Sequence, residues 1–110
     1  MSGKGSARGI QRERAVRDLL RDQDWIAFRA PASLGVADVV ALKAGRTPML
    51  IECKSTAGGP YERFRPADRQ RLAFAAELAG AEAWLVWWPK GGKARWIAAS
   101  EWPTSLKAAS

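Results

Sequence analysis

The feature that most constrains this chain is a pair of short apolar segments, residues 36–42 and 49–55, separated by a short polar turn. Two strands joined so closely are predicted to pair as an antiparallel hairpin. If the turn is centred on Gly45, residues equally distant from it in sequence lie opposite each other. Asp38 and Glu52 are each seven residues from Gly45, so the hairpin is predicted to place their carboxylates face to face.

Two opposed carboxylates destabilise a sheet unless another group compensates their charge. A divalent cation such as Mg²⁺ or Mn²⁺ would do so, because hard oxygen ligands suit these ions. Lys54 lies two residues beyond Glu52 and points to the same face, since side chains alternate along a strand. The alternative is purely structural, with Asp38 paired to Lys43 or Lys54 and Glu52 paired to Lys54. We favour the metal site, because an ion pair does not explain two opposed acids.

The composition excludes several other kinds of chemistry. The 110 residues include no His and one Cys, which excludes histidine-based triads, internal disulfides and thiolate-rich zinc sites. The 18 Lys and Arg residues against 11 Asp and Glu give a net charge of +7 and indicate a polyanionic partner, of which nucleic acid is the commonest. The longest apolar run, residues 83–88, is too short to cross a membrane, and the first residues lack the apolar core of a secretory signal. We therefore predict a cytoplasmic protein with no membrane partner.

The remaining pattern predicts one α/β domain over residues 9–110, preceded by a flexible basic arm, residues 1–8. Helices are expected over residues 9–22 and 66–79, and strands over residues 25–29, 36–42, 49–55, 84–88 and 93–99. This order predicts a central mixed five-stranded sheet flanked by helices. Trp87 points away from Trp84 and Trp88 on the fourth strand, so both faces are aromatic; core packing is the first explanation, and one face is a candidate subunit interface.

Asp38 together with the segment Ile51-Glu52-Cys53-Lys54 resembles the active-site motif of the PD-(D/E)xK nuclease superfamily. The chain as a whole is similar to the archaeal-type Holliday junction resolvases, which share the basic start, an acidic residue at Glu13 in the first helix and the Ser33-containing loop. Ala37 departs from the family, which usually has proline there. The resemblance implies a restriction-endonuclease-like fold and an Mg²⁺-dependent endonuclease of DNA recombination and repair. Such an enzyme resolves branched DNA, the four-way junction, by symmetric cuts as a homodimer.

By position, the resemblance gives catalytic roles to Glu13, Ser33, Asp38, Glu52 and Lys54. Glu13, Asp38 and Glu52 would ligate the metal ion, joined by the backbone carbonyl of Cys53. Lys54 would position or activate the attacking water, and Ser33 would lie near the scissile phosphate. The expected ion is Mg²⁺, with Mn²⁺ as a substitute.

Basic residues along the chain are candidates for contact with the DNA backbone. They are Lys4 and Arg8 in the predicted arm, Arg14 and Arg29 by resemblance, and Arg63, Arg65 and Arg69 by clustering beside the expected active face. Gln70 is a further candidate for the site by resemblance.

Plainer interpretations exist for several of these residues. Helical geometry alone makes Glu13 a residue at the boundary of the apolar stripe, Ser33 a residue that caps a loop and Cys53 a core residue. The arginine cluster is then a solvated edge, and Gln70 is an ordinary exposed residue. At the level of function, the alternatives are another repair or restriction-like nuclease of the same superfamily and a catalytically silent DNA-binding module.

Overall fold

The computed structural model describes residues 7–30 and 36–103. Its elements are α1 (Ala7–Asp22), β1 (Ile26–Arg29), β2 (Val39–Leu42), β3 (Met49–Ser55), α2 (Pro66–Ala79), β4 (Glu82–Trp88), β5 (Arg95–Ala98) and a short 3₁₀ helix (Ala99–Glu101). The strands form one sheet in the order β1-β2-β3-β4-β5. Neighbouring strands are antiparallel except β3 and β4, which are parallel because α2 crosses over between them. The predicted mixed five-stranded sheet flanked by helices is confirmed.

The β2–β3 hairpin has the predicted register. Val39 pairs with Ile51 and Ala41 with Met49, so the turn is centred on Gly45, which has a φ of +74°. Strand β2 begins three residues later than predicted, however. Ile51 is the partner of Val39 in the strand pairing, yet its carbonyl accepts a hydrogen bond from the N–H of Asp38. The regular pairing of the two strands therefore does not extend to Asp38. Asp38 therefore lies at the end of β2 rather than within it.

The two helices pack on opposite faces of the sheet because consecutive strand residues point in opposite directions. Ile51 and Val86 lie on the face covered by Val16 and Leu20 of α1. The other face includes Leu50 and Leu85, which pack with Leu72 and Ala76 of α2. Ile51 and Leu85 are both fully buried, so the middle of the sheet is rigid on both sides of the strand that carries Glu52.

Local signals in the sequence fix the ends of α2. Pro66 is its first residue, and the N–H of Arg65 donates to the carboxylate of Asp68. Gly80 ends the helix in the left-handed conformation, with its N–H donating to the carbonyl of Glu77 at 3.2 Å. The predicted boundaries of α2 are confirmed.

Two other expectations need correction. Helix α1 begins at Ala7, so Arg8 belongs to a helix rather than to a flexible arm, and Lys4 lies outside the described residues. Trp87 and Trp88 are both buried, each on its own face of the sheet, so neither offers a free surface for a second subunit. Within residues 7–30 and 36–103, no helix is long and apolar enough to cross a membrane.

Candidate functional site

Two carboxylates meet where β2 ends beside β3. Asp38 precedes β2, and its Oδ2 accepts a hydrogen bond of 2.8 Å from the N–H of Cys53, the residue that follows Glu52. Glu52 lies on β3, with its side chain 21% exposed. The hairpin register thus brings both acids to one end of the sheet, as the sequence predicts.

Burial is the main reason why both acids hold their protons more tightly than usual. Burial raises the pKa of Asp38 to about 6. The hydrogen bond from Cys53 opposes this rise, and the negative charge of Glu13 adds to it. Burial likewise raises the pKa of Glu52 to about 7, and the charge of Asp38 contributes while Lys54 opposes it. The two carboxylates are close enough to repel each other, and their full ionisation requires additional positive charge.

Two cations partly neutralise this region. Lys54 Nζ lies 3.4 Å from Glu52 Oε2, and Arg29 Nε donates to Glu13 Oε1 at 3.0 Å. The cluster therefore contains three carboxylates, those of Glu13, Asp38 and Glu52, and two cationic side chains. Among these five side chains, negative charges exceed positive charges by one.

This cluster offers a divalent cation the carboxylates of Asp38 and Glu52, with that of Glu13 near Asp38. Within the described ranges, no group of three or more His, Cys, Asp or Glu side chains is arranged to hold a metal ion. The carboxylate predicted as the third ligand, that of Glu13, accepts a hydrogen bond from Arg29 through Oε1, and its role as a ligand stays a prediction. Asp38 and Glu52 are hard oxygen donors whose repulsion a cation would relieve, and the charge deficit has the required sign. Burial raises the pKa of the Cys53 thiol well above its usual value, so Cys53 has only its backbone oxygen to offer.

The remaining candidate residues are dispersed. Arg8, Arg14, Arg63, Arg65 and Gln70 are exposed, the first two on α1, the next two before α2 and the last on α2 itself. No contact joins Gln70 to the acidic pair in the part of the chain that the structure describes. Ser33, like Lys4, lies outside the described residues.

Arg69 requires a correction, because its side chain is only 4% exposed. Its guanidinium donates to the carbonyl of Phe64 and lies over the ring of Tyr61, with 5.2 Å between Cζ and the ring centroid. These contacts hold the segment before α2 in place. The prediction that Arg69 contacts phosphate was wrong, since its charged group is turned inward.

Two residues near the site were missed by sequence reasoning. Asp68, in the first turn of α2, is close enough for its charge to raise the pKa of Glu52. Thr56 accepts a hydrogen bond of 2.9 Å from Trp87 Nε1 through its hydroxyl, and Trp87 is paired with Lys54 across the parallel strands. The position of Asp68 as a helix cap is visible in the sequence, but its approach to Glu52 depends on how α2 packs across the sheet.

Comparisons with known proteins place these observations in a family context. Residues 4–106 match the family model of the archaeal Holliday junction resolvase. A solved structure of a Holliday junction resolvase from the archaeal hyperthermophile Archaeoglobus fulgidus is similar in fold, with a TM-score of 0.68 and 23% sequence identity. The similarity covers 86% of this chain and 75% of that one. No curated protein matches this sequence.

Proposed function

The chain belongs to the family of archaeal Holliday junction resolvases, and from this premise we propose that it cuts four-way DNA junctions at the site formed by Asp38 and Glu52. Membership of the family makes it a nuclease of DNA recombination and repair that acts on branched DNA. The observation that supports this location is the half-buried acidic pair beside Lys54, in which two carboxylates face one ammonium group.

Resolvases of this kind use a divalent metal ion, and Mg²⁺ is the ion we propose, with Mn²⁺ as a substitute. Asp38 and Glu52 would hold it, with the carbonyl of Cys53 as a further oxygen ligand. When bound, the cation supplies positive charge that stabilises the phosphate in the transition state and lowers the pKa of the attacking water. Glu13 adds negative charge near Asp38 while its own carboxylate orients Arg29.

Each side chain of the site then has a distinct part in phosphodiester hydrolysis. The N–H of Cys53 fixes the carboxylate of Asp38, so that this ligand need not reorganise. Lys54, held beside Glu52, orients the attacking water and neutralises charge that develops on the phosphate. Arg29, placed by Glu13, offers its remaining N–H groups to a phosphate oxygen. No histidine base is needed.

Symmetric resolution requires two sites, and we propose a homodimer formed through the outer face of α2. Phe74 and Leu78 lie one turn apart on this helix and are 60% and 74% exposed. Two large apolar side chains so close together favour burial against another protein. A second copy related by a two-fold axis would bury both pairs and present two equivalent sites to the junction.

The test is cleavage of a labelled four-way junction and of a linear duplex with the sequence of its arms, each in Mg²⁺ and in EDTA. We expect metal-dependent cuts at symmetric positions in the junction and little cutting of the duplex. Equal cutting of both substrates would favour a repair or restriction-like nuclease. Binding without any metal-dependent cleavage would indicate a silent DNA-binding module.

A further inference from the structure

One arginine at the same end of the sheet as the acidic pair has a buried polar atom without a partner among the described residues. Arg12 lies on α1, and its guanidinium covers the ring of Trp88, with 5.0 Å between Cζ and the ring centroid. Its Nε is buried and has no hydrogen-bond partner in the part of the chain that the structure describes. Unpaired buried N–H groups are rare, because the desolvation of a charged donor is unfavourable unless a partner replaces the lost water.

Arg12 lies at the same end of the sheet as the candidate active site. Trp88 is the last residue of β4 and pairs with Ser55, the last residue of β3, directly after Lys54. Along α1, Arg12 precedes Glu13, whose charge affects the pKa of Asp38. The guanidinium therefore lies at the same end of the sheet as the acidic pair, on the face that α1 covers, whereas Glu52 belongs to the other face.

No acidic side chain of the chain remains to complete this arginine. The neighbouring carboxylate of Glu13 is bonded to Arg29, and none of the ion pairs within residues 7–30 and 36–103 involves Arg12. Residues 1–6, 31–35 and 104–110 contain no Asp or Glu at all. An anion from outside the protein is thus the candidate partner for the N–H groups at the edge of this guanidinium.

The chemistry of a stacked guanidinium favours an external phosphate. A guanidinium over an indole is attracted through the face of the ring, and the terminal N–H donors at its edge match the oxygens of a phosphate. Trp88 is buried, so its ring is already in place beneath Arg12 before DNA arrives. Arg8, one turn earlier on α1 and exposed, adds positive charge on the same side.

We propose that Arg12, oriented by Trp88, binds a phosphate of the DNA backbone next to the one that is cleaved. This inference rests on the proposed junction-resolving function and adds a positioning residue to it. Arg12 would hold the strand in register, while Asp38, Glu52 and Lys54 carry out the reaction.

The experiment compares Arg12→Gln with Arg17→Gln in the full chain. Arg17 is the matched control, because it lies on the same helix and bonds to Asp18 at 2.9 Å. Affinity for a fluorescent four-way junction is measured in EDTA over a series of salt concentrations. We expect Arg12→Gln to weaken binding about tenfold and to reduce the salt slope by about one, and Arg17→Gln to change neither.

Junctions with a single neutral methylphosphonate linkage then identify the contact. At one phosphate beside the cleavage point, the neutral linkage should weaken binding by the wild-type protein and have no further effect on Arg12→Gln. If Arg12→Gln shows no cooperative thermal unfolding, Arg12→Lys takes its place, with the expectation of weaker binding at an unchanged salt slope.

Wild-type affinity and slope in Arg12→Gln, or additive effects at every phosphate, would overturn the proposal. A lower melting temperature with normal binding would do the same, since it indicates a packing role only. These binding measurements do not depend on cleavage. A failure of the nuclease assay in Mg²⁺ would therefore be recognised separately, as a failure of the proposed function.

Discussion

Asp38 and Glu52 allow binding of DNA to be separated from its cleavage, residue by residue. Asp38→Asn and Glu52→Gln keep the shape of each side chain and remove its charge. Loss of either metal ligand should reduce single-turnover cleavage in Mg²⁺ by about a thousandfold or more. Junction affinity in EDTA should persist or rise, because a negative charge near the phosphate is removed. If binding were lost together with cleavage, the two residues would not be metal ligands.

Glu52 should also make the metal-free protein less stable as the pH rises. Its pKa of about 7 in the folded state exceeds the unfolded value near 4.5, so the folded state binds an extra proton between these pH values. The free energy of unfolding in EDTA is then expected to fall from pH 4.5 to pH 7. In Glu52→Gln this fall should be smaller, so that the variant is more stable than wild type at pH 8 by about 1–2 kcal/mol.

Denaturant titrations at pH 4 and pH 8 provide the measurement for Glu52. The difference between Glu52→Gln and wild type should vanish at pH 4, where the carboxyl is protonated in both states. At pH 8, Mg²⁺ should stabilise the wild-type protein more than the variant. An equal difference at both pH values would show that the effect comes from packing rather than from ionisation.

Arg69 anchors the segment between β3 and α2 to the start of the helix. The guanidinium donates to the carbonyl of Phe64, whose ring is 1% exposed and packs edge-to-face on Trp102. Arg69→Ala would leave that buried carbonyl unpaired and open a cavity, so we expect a loss of about 2–3 kcal/mol in the free energy of unfolding. Chemical denaturation measures it, and Arg71→Ala on the exposed side of α2 serves as the control. A loss below that of the control would contradict the anchoring role.

Arg63 and Arg65 lie on the same segment, but their side chains are exposed whereas that of Arg69 is buried. Both side chains are exposed, so their replacement by Ala should leave the free energy of unfolding nearly unchanged. Each substitution should reduce the salt slope of junction binding by about one, because one phosphate contact is lost. Fluorescence anisotropy at several salt concentrations checks this expectation. An unchanged slope would mean that the segment does not touch the DNA backbone.

Features set by the backbone preferences of nearby residues were predictable from the sequence, and features that depend on tertiary packing were not. Pro66 and Gly80 define α2 through their own backbone preferences, and Gly45 fixes the hairpin register that brings Asp38 to Glu52. The burial of Arg69 had no such signal, because its partner Phe64 belongs to a core formed by distant residues. In the same way, the pairing of Glu13 with Arg29 requires α1 to lie across the end of β1.

Over the whole molecule, the charge distribution combines a strong attraction for DNA with one negative site. The net charge of +7 coexists with a cluster in which three carboxylates face two cations. In the proposed function, positive potential around the molecule would draw the phosphate backbone in, and the local excess of negative charge would attract a small cation to the point of cleavage. A uniformly basic surface would bind DNA equally well but would repel the metal ion.

In the proposed homodimer, the assembly of two sites into one resolving enzyme would depend on the outer face of α2. Phe74→Asp combined with Leu78→Asp places charges where a partner would cover apolar side chains, so we expect the dimer dissociation constant to rise about a hundredfold or more. Sedimentation should then show a monomer, and a plasmid with an extruded cruciform should be nicked once rather than cut on both strands. Ile26→Asp is the matched control, because Ile26 is 68% exposed on β1. Paired cutting by a dimer that survives both α2 substitutions would place the interface elsewhere.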